Sequence, residues 1–343
     1  MNVLVHVDNA IRILEADLPP GVVQAIEADL TLTNPRWEQV QMYGRGRRPN
    51  FQSEFLRYYR RKNGVLILPR GYISVLRLRL RDVPHTVVDR TRSLPEVDFS
   101  FSSSLQPYQA RAVKDIVSRR FGVLEAPPGA GKTVMALAAI ASRRQKALVI
   151  VHTKELLYQW VRRSCEHLGM DETEVGVIGD GHKRWGERLT IALINTLYRV
   201  IDEGRTRVGH LVVDECHHVP ARTFTEAVGV FDCTYMLGLS ATPYRRDKLT
   251  SLIHFYMGDC VHRILPTELQ ALRKIMRARL VVRHTGCAYH FDADEYQCMI
   301  SSLVADERRN GLIVSDVQDC VRTGSGIALV ISDRVSHCET LFR

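Results

Sequence analysis

The 343-residue chain has few of the features that mark membrane-spanning or disulfide-stabilised proteins. It contains no run of 18 apolar residues, which argues against a membrane span. The first eighteen residues carry four charges and no continuous apolar block, so we expect no secretory signal. The eight cysteines include no C-x-x-C pair, and none precedes Cys165. This scatter predicts reduced thiols in a cytoplasmic protein rather than a disulfide framework or a zinc site.

Basic residues are concentrated in one segment. Between Arg36 and Arg92 there are 14 Lys/Arg and 4 Asp/Glu, a net charge of +10, whereas the whole chain carries +9. Aromatic residues are interleaved with these arginines. Because arginines neutralise phosphates and aromatic rings stack on bases, the segment is a candidate nucleic-acid surface. A solvated basic face without a ligand is the alternative, which charge alone leaves open. The candidate contacts are Arg45, Arg47, Arg48, Arg60 and Arg61.

Composition and patterning divide the chain into regions 1–100, 101–265 and 266–343. The first contains the basic segment and is expected to be a small α+β domain. The second alternates apolar runs with helical patterns, which predicts an α/β fold whose parallel sheet has helices on both faces. Its strand candidates are Gly122–Ala126, Ala147–Val151, Glu174–Ile178, Leu189–Ile194, His210–Asp214 and Tyr235–Ser240.

Four further stretches carry a prediction of secondary structure. Residues 154–168 have apolar side chains at three- and four-residue spacing, which predicts a helix. Residues 300–321 are also expected to be helical, and residues 327–332 to form a strand. The alternation of leucine and arginine from Leu76 to Arg81 predicts a strand with its arginines on one face.

The run A-P-P-G-A-G-K-T at 126–133 has the character of a phosphate-binding loop, although its first position is alanine rather than glycine. It follows a strand candidate and opens an alanine-rich helix. Gly129 and Gly131 allow the backbone amides to point at phosphates. Lys132 would reach the β- and γ-phosphates, and the Thr133 hydroxyl would coordinate Mg²⁺. The candidate cofactor-binding residues of this loop are Pro128, Gly129, Ala130, Gly131, Lys132 and Thr133.

Two carboxylates end a later apolar strand candidate, at Asp214 and Glu215. The carboxyl ends of parallel strands meet at one edge of a sheet, so this pair is expected beside the phosphate loop. Asp214 would then hold Mg²⁺ and Glu215 would polarise the attacking water. The next apolar strand candidate ends in Ser240 and Thr242, which could couple the γ-phosphate to a second domain. Taken alone, those two residues would indicate only a turn.

With these motifs in order, residues from Leu105 onward resemble a superfamily 2 DExH helicase motor of the XPB/UvsW-like group. Motor subunits of type III restriction enzymes are also similar. The resemblance implies ATP and Mg²⁺ as cofactors, with adenine recognition by Gln109. It implies backbone contacts to nucleic acid, DNA rather than RNA, by Thr153, Lys154 and Thr196. It also assigns His217 a role in linking the ATP site to Ser240 and Thr242. The stretches 32–35 and 68–71 resemble the DNA-recognition domain that precedes this motor.

The sequence departs from the family pattern after residue 266. Residues 306–310 and 328–334 resemble the first elements of a second RecA-like domain, but motifs V and VI are absent. Motif VI supplies an arginine finger, typically worth about 10³–10⁵ in rate. We therefore expect a chain that binds ATP and Mg²⁺, hydrolyses ATP slowly and unwinds no DNA alone, with a second polypeptide supplying the rest of the motor or a nuclease. The alternatives are a nucleotide-regulated nucleic-acid-binding fragment without catalysis and an RNA-directed ATPase.

Overall fold

The computed structural model describes residues 2–35, 37, 53–217, 221–241, 249–276, 280–286, 296–324 and 326–342. The chain forms two compact units, Met1–Met276 and Arg277–Arg343. The first unit contains two large sheets. The boundaries predicted at residues 100 and 265 stay predictions.

The first sheet comes from the amino-terminal region. The strands of this region are β1 (Val3–Val7), β2 (Ala10–Leu14), β3 (Thr31–Thr33), β4 (Phe55–Arg57), β5 (Arg60–Lys62), β6 (Val65–Pro69) and β7 (His85–Asp89). The sheet has the strand order β5-β6-β2-β1-β7, and its strands pair antiparallel except for β1 and β7, which are parallel. A separate antiparallel ribbon joins β3 to β4. Helices α1 (Pro20–Asp29) and α2 (Ile73–Arg79) contribute to its apolar core.

The predicted strand at 76–81 is wrong, because Ile73–Arg79 is a helix. Leu76 and Leu80 are both fully buried, whereas Leu78 between them is 70% exposed. Residues four apart lie about one turn apart on the same face of a helix, so the helix buries Leu76 and Leu80 and exposes Leu78, whereas a strand would put all three on one face. The side chain of Arg79 forms a two-bond ion pair with Asp29 on α1.

The second sheet has eight strands: β8 (Phe121–Glu125), β9 (Ala147–Val151), β10 (Gly176–Gly179), β11 (His182–Arg184), β12 (Leu189–Leu193), β13 (His210–Val213), β14 (Tyr235–Ser240) and β15 (Cys260–Arg263). Their order in the sheet is β11-β10-β12-β9-β13-β14-β8-β15. All the pairings are parallel except that of β10 with β11, which confirms the predicted parallel α/β fold.

Helices cover both faces of this sheet, because its central strands are apolar on both sides. Val123 packs in one apolar cluster and the adjacent Leu124 in another. The helices are α3 (Pro107–Val117), α4 (Lys132–Arg143), α5 (Lys154–Leu168), α6 (Ile194–Leu197), α7 (Ile201–Gly204), α8 (Ala221–Val228), α9 (Ser251–Met257) and α10 (Pro266–Ala271). The helix predicted at 154–168 is confirmed to the residue.

The two sheets meet through a buried arginine and a close backbone approach. The Arg70 guanidinium donates to the carbonyl of Cys233 at 2.6 Å and to that of Asp8 at 3.2 Å. Arg70 is 2% exposed, and its burial lowers the pKa of the guanidinium. At Gly71, a Cβ atom would lie 2.4 Å from the Gly258 nitrogen, so only glycine permits this approach.

The second unit is described as three helices, α11 (Tyr296–Ala305), α12 (Glu307–Thr323) and α13 (Val335–Phe342). The predicted helical stretch is thus divided at Asp306, whose side chain caps α12 by accepting from the Arg309 amide. The strand predicted at 327–332 is wrong: these residues have no strand pairing, and Ile327 is 99% exposed. A strand needs a neighbour for its backbone hydrogen bonds, and the described part of this unit contains no other strand. None of the described helices has the length and apolar character of a membrane span.

Candidate functional site

The phosphate-loop candidate connects β8 to α4 at the carboxyl edge of the second sheet. Gly129 and Gly131 have φ angles of +83° and +82°, in the region that favours glycine. Gly131 also packs closely against Gln109: a Cβ atom at position 131 would lie 2.5 Å from the Gln109 Nε2 atom, which leaves no room for a side chain. The loop conformation therefore depends on the glycines that the motif supplies.

Gln109 holds this loop from the side. Its Nε2 atom donates to the Ala130 carbonyl at 3.0 Å, and its Oε1 atom accepts from the Gln106 amide at 3.0 Å. The Tyr108 hydroxyl donates to the same Ala130 carbonyl at 3.2 Å. Gln109 thus lies beside the phosphate-loop candidate, and adenine recognition by its amide stays a prediction.

Lys132 and the carboxylate pair lie together at this edge. The Nζ atom of Lys132 is 3.3 Å from the Oε1 atom of Glu215, and it donates to the Ala126 carbonyl at 3.2 Å. The two residues belong to segments that follow β8 and β13, which β14 separates in the sheet. The sequence prediction that the lysine and the acids share one edge therefore matches the geometry.

Asp214 is held by two donors. Its Oδ1 atom accepts from the Glu215 amide at 2.9 Å, and its Oδ2 atom accepts from the Trp160 indole at 2.7 Å. Burial is the main cause that raises the pKa of Asp214, and the neighbouring Glu215 raises it further. The Trp160 hydrogen bond and the charge of Lys132 oppose this rise by favouring the carboxylate.

His217 connects the acidic pair to β14. Its Nδ1 atom is 3.0 Å from the Ser240 hydroxyl and 3.4 Å from the Glu215 Oε2 atom. Glu215 itself has a φ of +45°, which turns the chain sharply between the two acids and His217. The Ser240 hydroxyl therefore lies beside His217, whereas Thr242 lies outside the described residues.

The residues at this edge fit a magnesium-bound nucleotide. Thr133 offers a hydroxyl at the start of α4 and Asp214 a carboxylate, and Mg²⁺ prefers such oxygen ligands. The Glu215 Oε2 atom is buried without a hydrogen bond among the described residues. The described residues contain no group of three His, Cys, Asp or Glu side chains that could hold a metal. Mg²⁺ in nucleotide sites typically relies on one or two protein ligands, water and phosphates.

The predicted nucleic-acid contacts have different surroundings. Thr153 caps α5 by accepting from the Leu156 amide at 3.3 Å, and the neighbouring Lys154 pairs with Asp180. Thr196 is half-buried on α6.

The arginine candidates of the first region are also unlike one another. Arg60 is exposed, whereas Arg61 pairs with both Glu15 and Glu27. These hydrogen bonds raise the pKa of Arg61. The remaining candidates, Arg45, Arg47 and Arg48, lie outside the described residues.

Sequence reasoning missed two residues of this edge. They are Trp160 on α5 and Asp180, which follows β10. The sequence signal for Trp160 is a large aromatic residue with a polar atom on an otherwise apolar helix face, because such an atom needs a buried acceptor. We see no comparable signal for Asp180.

Comparison with known proteins gives a family model and several relatives that this chain resembles over part of its length. Residues 102–245 match the family model described as "Type III restriction enzyme, res subunit". The DNA 3'-5' translocase XPB2 of Sulfurisphaera tokodaii is 32% identical over 188 residues, which cover 55% of this chain and 41% of that protein. A putative ATP-dependent RNA helicase of Acanthamoeba polyphaga mimivirus is 25% identical over 259 residues, 72% of this chain and 49% of that protein.

A solved structure of similar fold is the UvsW helicase from bacteriophage T4, with a TM-score of 0.58 and 18% sequence identity. The match covers 76% of this chain and all of that chain. The chain spans about half or less of the two curated relatives above.

The loop, the acidic pair and the parallel sheet have the arrangement of a P-loop α/β domain. Over part of its length the chain is similar to XPB-type proteins and to the restriction-subunit family. These matches support the superfamily 2 resemblance that the sequence motifs indicated, and the UvsW structure has a similar fold.

Proposed function

We propose that this chain is the ATP-binding part of an ATP-dependent DNA translocase or helicase that uses Mg²⁺. The observation that carries the proposal is the 3.3 Å approach of Lys132 to Glu215, beside the buried Asp214. In this proposal Lys132 supplies the cation, Asp214 the metal-binding carboxylate and Glu215 the base, at one sheet edge beside the glycine-containing loop. Phosphoryl transfer needs mainly such charge neutralisation and positioning.

The chain's own residues would act in three ways. Lys132 and the amides of the loop would bind the phosphate oxygens, and Thr133 and Asp214 would hold Mg²⁺, whose charge neutralises the phosphates. Glu215 would orient the attacking water and accept its proton. His217 and Ser240 would carry the state of the site to the rest of the motor. Residues 1–343 include no motif VI, so we expect slow turnover by this chain and faster turnover when a polypeptide that carries the motif is added.

DNA is the proposed substrate because the XPB2 relative is named as a DNA translocase and because the 36–92 segment has a net charge of +10. A second candidate is an RNA-directed ATPase. It is favoured by the mimivirus relative, which is named as an RNA helicase and whose match covers 72% of this chain.

ATP hydrolysis measured with duplex DNA, single-stranded DNA, forked DNA and RNA tests these proposals. We expect DNA to stimulate hydrolysis, and Lys132→Ala to abolish both hydrolysis and nucleotide binding. Glu215→Gln should retain nucleotide binding and lose about 10²–10⁴ in rate, the range of general base catalysis. Lys114→Ala, on the exposed face of α3, is the matched control and should behave as wild type. Hydrolysis that survives Lys132→Ala would contradict the proposal, and stimulation by RNA alone would favour the second candidate.

A further inference from the structure

The indole of Trp160 and the carboxylate of Asp214 restrict each other. Trp160 is fully buried and Asp214 is 5% exposed, and the Nε1–Oδ2 distance is 2.7 Å. An indole N–H can only donate, and a buried donor without an acceptor costs about 1–3 kcal/mol. The remaining oxygen, Oδ1, is occupied by the Glu215 amide. Together these two bonds fix the orientation of the carboxylate.

Trp160 lies on the helix whose first turn carries the predicted nucleic-acid contacts. Helix α5 begins at Lys154, immediately after its cap Thr153. Trp160 lies six positions after Lys154, which corresponds to roughly 9 Å along the helix axis. A displacement of the amino-terminal end of α5 would therefore also displace the donor of Asp214, because a helix of this length moves as one element.

We propose that Trp160 is a positioning residue that couples nucleic-acid contact at the start of α5 to the metal-holding carboxylate Asp214. This inference rests on the proposed function of the site. The link is short: one helix and one hydrogen bond connect the two ligand sites. This link through α5 is separate from the contact between His217 and Ser240.

Intrinsic fluorescence gives a test that does not depend on turnover. The chain has three tryptophans, Trp37, Trp160 and Trp185, so Trp37→Phe combined with Trp185→Phe leaves Trp160 as the only tryptophan, which is excited selectively over the tyrosines at long wavelength. We expect ADP with Mg²⁺ to change its emission more than ADP with a chelator, and duplex DNA to change it as well. Emission that is the same with Mg²⁺ and with the chelator, or that is unaffected by DNA, would overturn the inference.

Binding coupling gives a second test. The Kd for a fluorescein-labelled DNA duplex is measured by anisotropy, with and without Mg²⁺ and a non-hydrolysable ATP analogue. In the wild-type protein we expect the nucleotide to change this Kd by about 5-fold or more, the lower end of typical coupling between sites. In Trp160→Phe, which keeps a ring but loses the donor, we expect the ratio to fall to within about twofold of one. A wild-type ratio of one, or a variant that keeps the wild-type ratio, would overturn the inference.

The control separates coupling from packing. Leu157 is fully buried on the same helix and makes no side-chain hydrogen bond, so Leu157→Ala should lower Tm while keeping the coupling ratio. If Leu157→Ala abolished the ratio as Trp160→Phe does, packing rather than the hydrogen bond would be responsible, and the inference would fail. Failure of the proposed function is distinguishable, because it would appear as absent nucleotide binding in the wild-type protein or as unimpaired binding in Lys132→Ala.

Discussion

Lys154 at the start of α5 forms an ion pair with Asp180, which follows β10. The Tyr158 hydroxyl donates to the second oxygen of the same carboxylate at 2.8 Å. These hydrogen bonds lower the pKa of Asp180. A side chain predicted to contact a nucleic-acid phosphate thus already has an anionic partner within the protein.

Removing this partner should strengthen nucleic-acid binding. Asp180→Asn keeps the shape of the side chain but frees Lys154 for phosphate, so we expect the Kd for DNA to fall roughly two- to fivefold, the scale of an exposed ion pair. Titrations at several salt concentrations measure the effect. Lys154→Ala should weaken binding and reduce the salt slope by about 1, and in that background Asp180→Asn should have little effect. Equal affinities of wild type and Asp180→Asn would show that Lys154 binds no phosphate.

Ser240 offers a test of the predicted coupling through His217. Ser240→Ala removes the hydroxyl that lies 3.0 Å from the His217 Nδ1 atom. We expect the KM for ATP to stay within about twofold and the DNA-stimulated kcat to fall by about 10-fold, because the change affects a step after nucleotide binding. Steady-state kinetics with saturating DNA measure both constants. Ser142→Ala removes a hydroxyl that bonds only within α4 and is the matched control. A rise in KM alone would assign Ser240 to nucleotide binding instead.

His210 should make stability depend on pH. It is fully buried, and its Nε2 atom is 2.7 Å from the Arg143 guanidinium, which donates to it. Burial, and then the charge of Arg143, lower the pKa of His210 well below its usual range. As pH falls below about 6.5, the unfolded chain takes up a proton that the folded chain does not. The free energy of unfolding should therefore fall by up to about 1.4 kcal/mol per pH unit.

Denaturant unfolding at pH 7.5, 6.5 and 5.5 measures this dependence. Glutamine keeps a hydrogen-bond acceptor for Arg143 but takes up no proton, so His210→Gln should flatten the decline. His182→Gln changes an exposed residue of β11 and serves as the comparison. An unchanged slope in His210→Gln would show that other groups cause the loss of stability.

The helix at 73–79 can be checked by comparing two leucines. Leu76→Ala empties a fully buried position, so it should lower the free energy of unfolding by about 2–5 kcal/mol. Leu78 is 70% exposed, so Leu78→Ala should change it by no more than about 0.5 kcal/mol. Urea denaturation curves of the two variants provide the comparison. Equal costs would indicate a strand that buries all its leucines on one face.

The parallel sheet was predictable because its strands are short apolar runs. Several of these runs are followed by motifs that can act together only if they lie at the same edge of the sheet. Strand β14 was predicted to the residue, and β13 ended one residue earlier than expected. The segment at 76–81 was not predictable from its period, since alternate leucines satisfy a helix at i and i+4 as well as a strand. The apolar run at 327–332 shows the other limit: its composition favours a strand, but a strand also needs a partner.

The site was predictable as a set of motifs but not as a set of contacts. The loop, Lys132 and the acidic pair follow from spacing and chemistry. The hydrogen bond from Trp160 to Asp214 joins residues 54 positions apart. This hydrogen bond depends on how α5 is rotated about its axis against the sheet. The helical period predicts which face of α5 is buried, but not which side chain of that face meets Asp214. The partner of Lys154 depends likewise on the turn after β10.

The buried contact of Arg70 with the Cys233 carbonyl has a mechanical consequence. Together with the close approach of Gly71 to Gly258, it joins the amino-terminal sheet to the eight-stranded sheet at two tightly packed points. Under the proposed function, nucleic acid bound to the amino-terminal sheet would move together with the eight-stranded sheet.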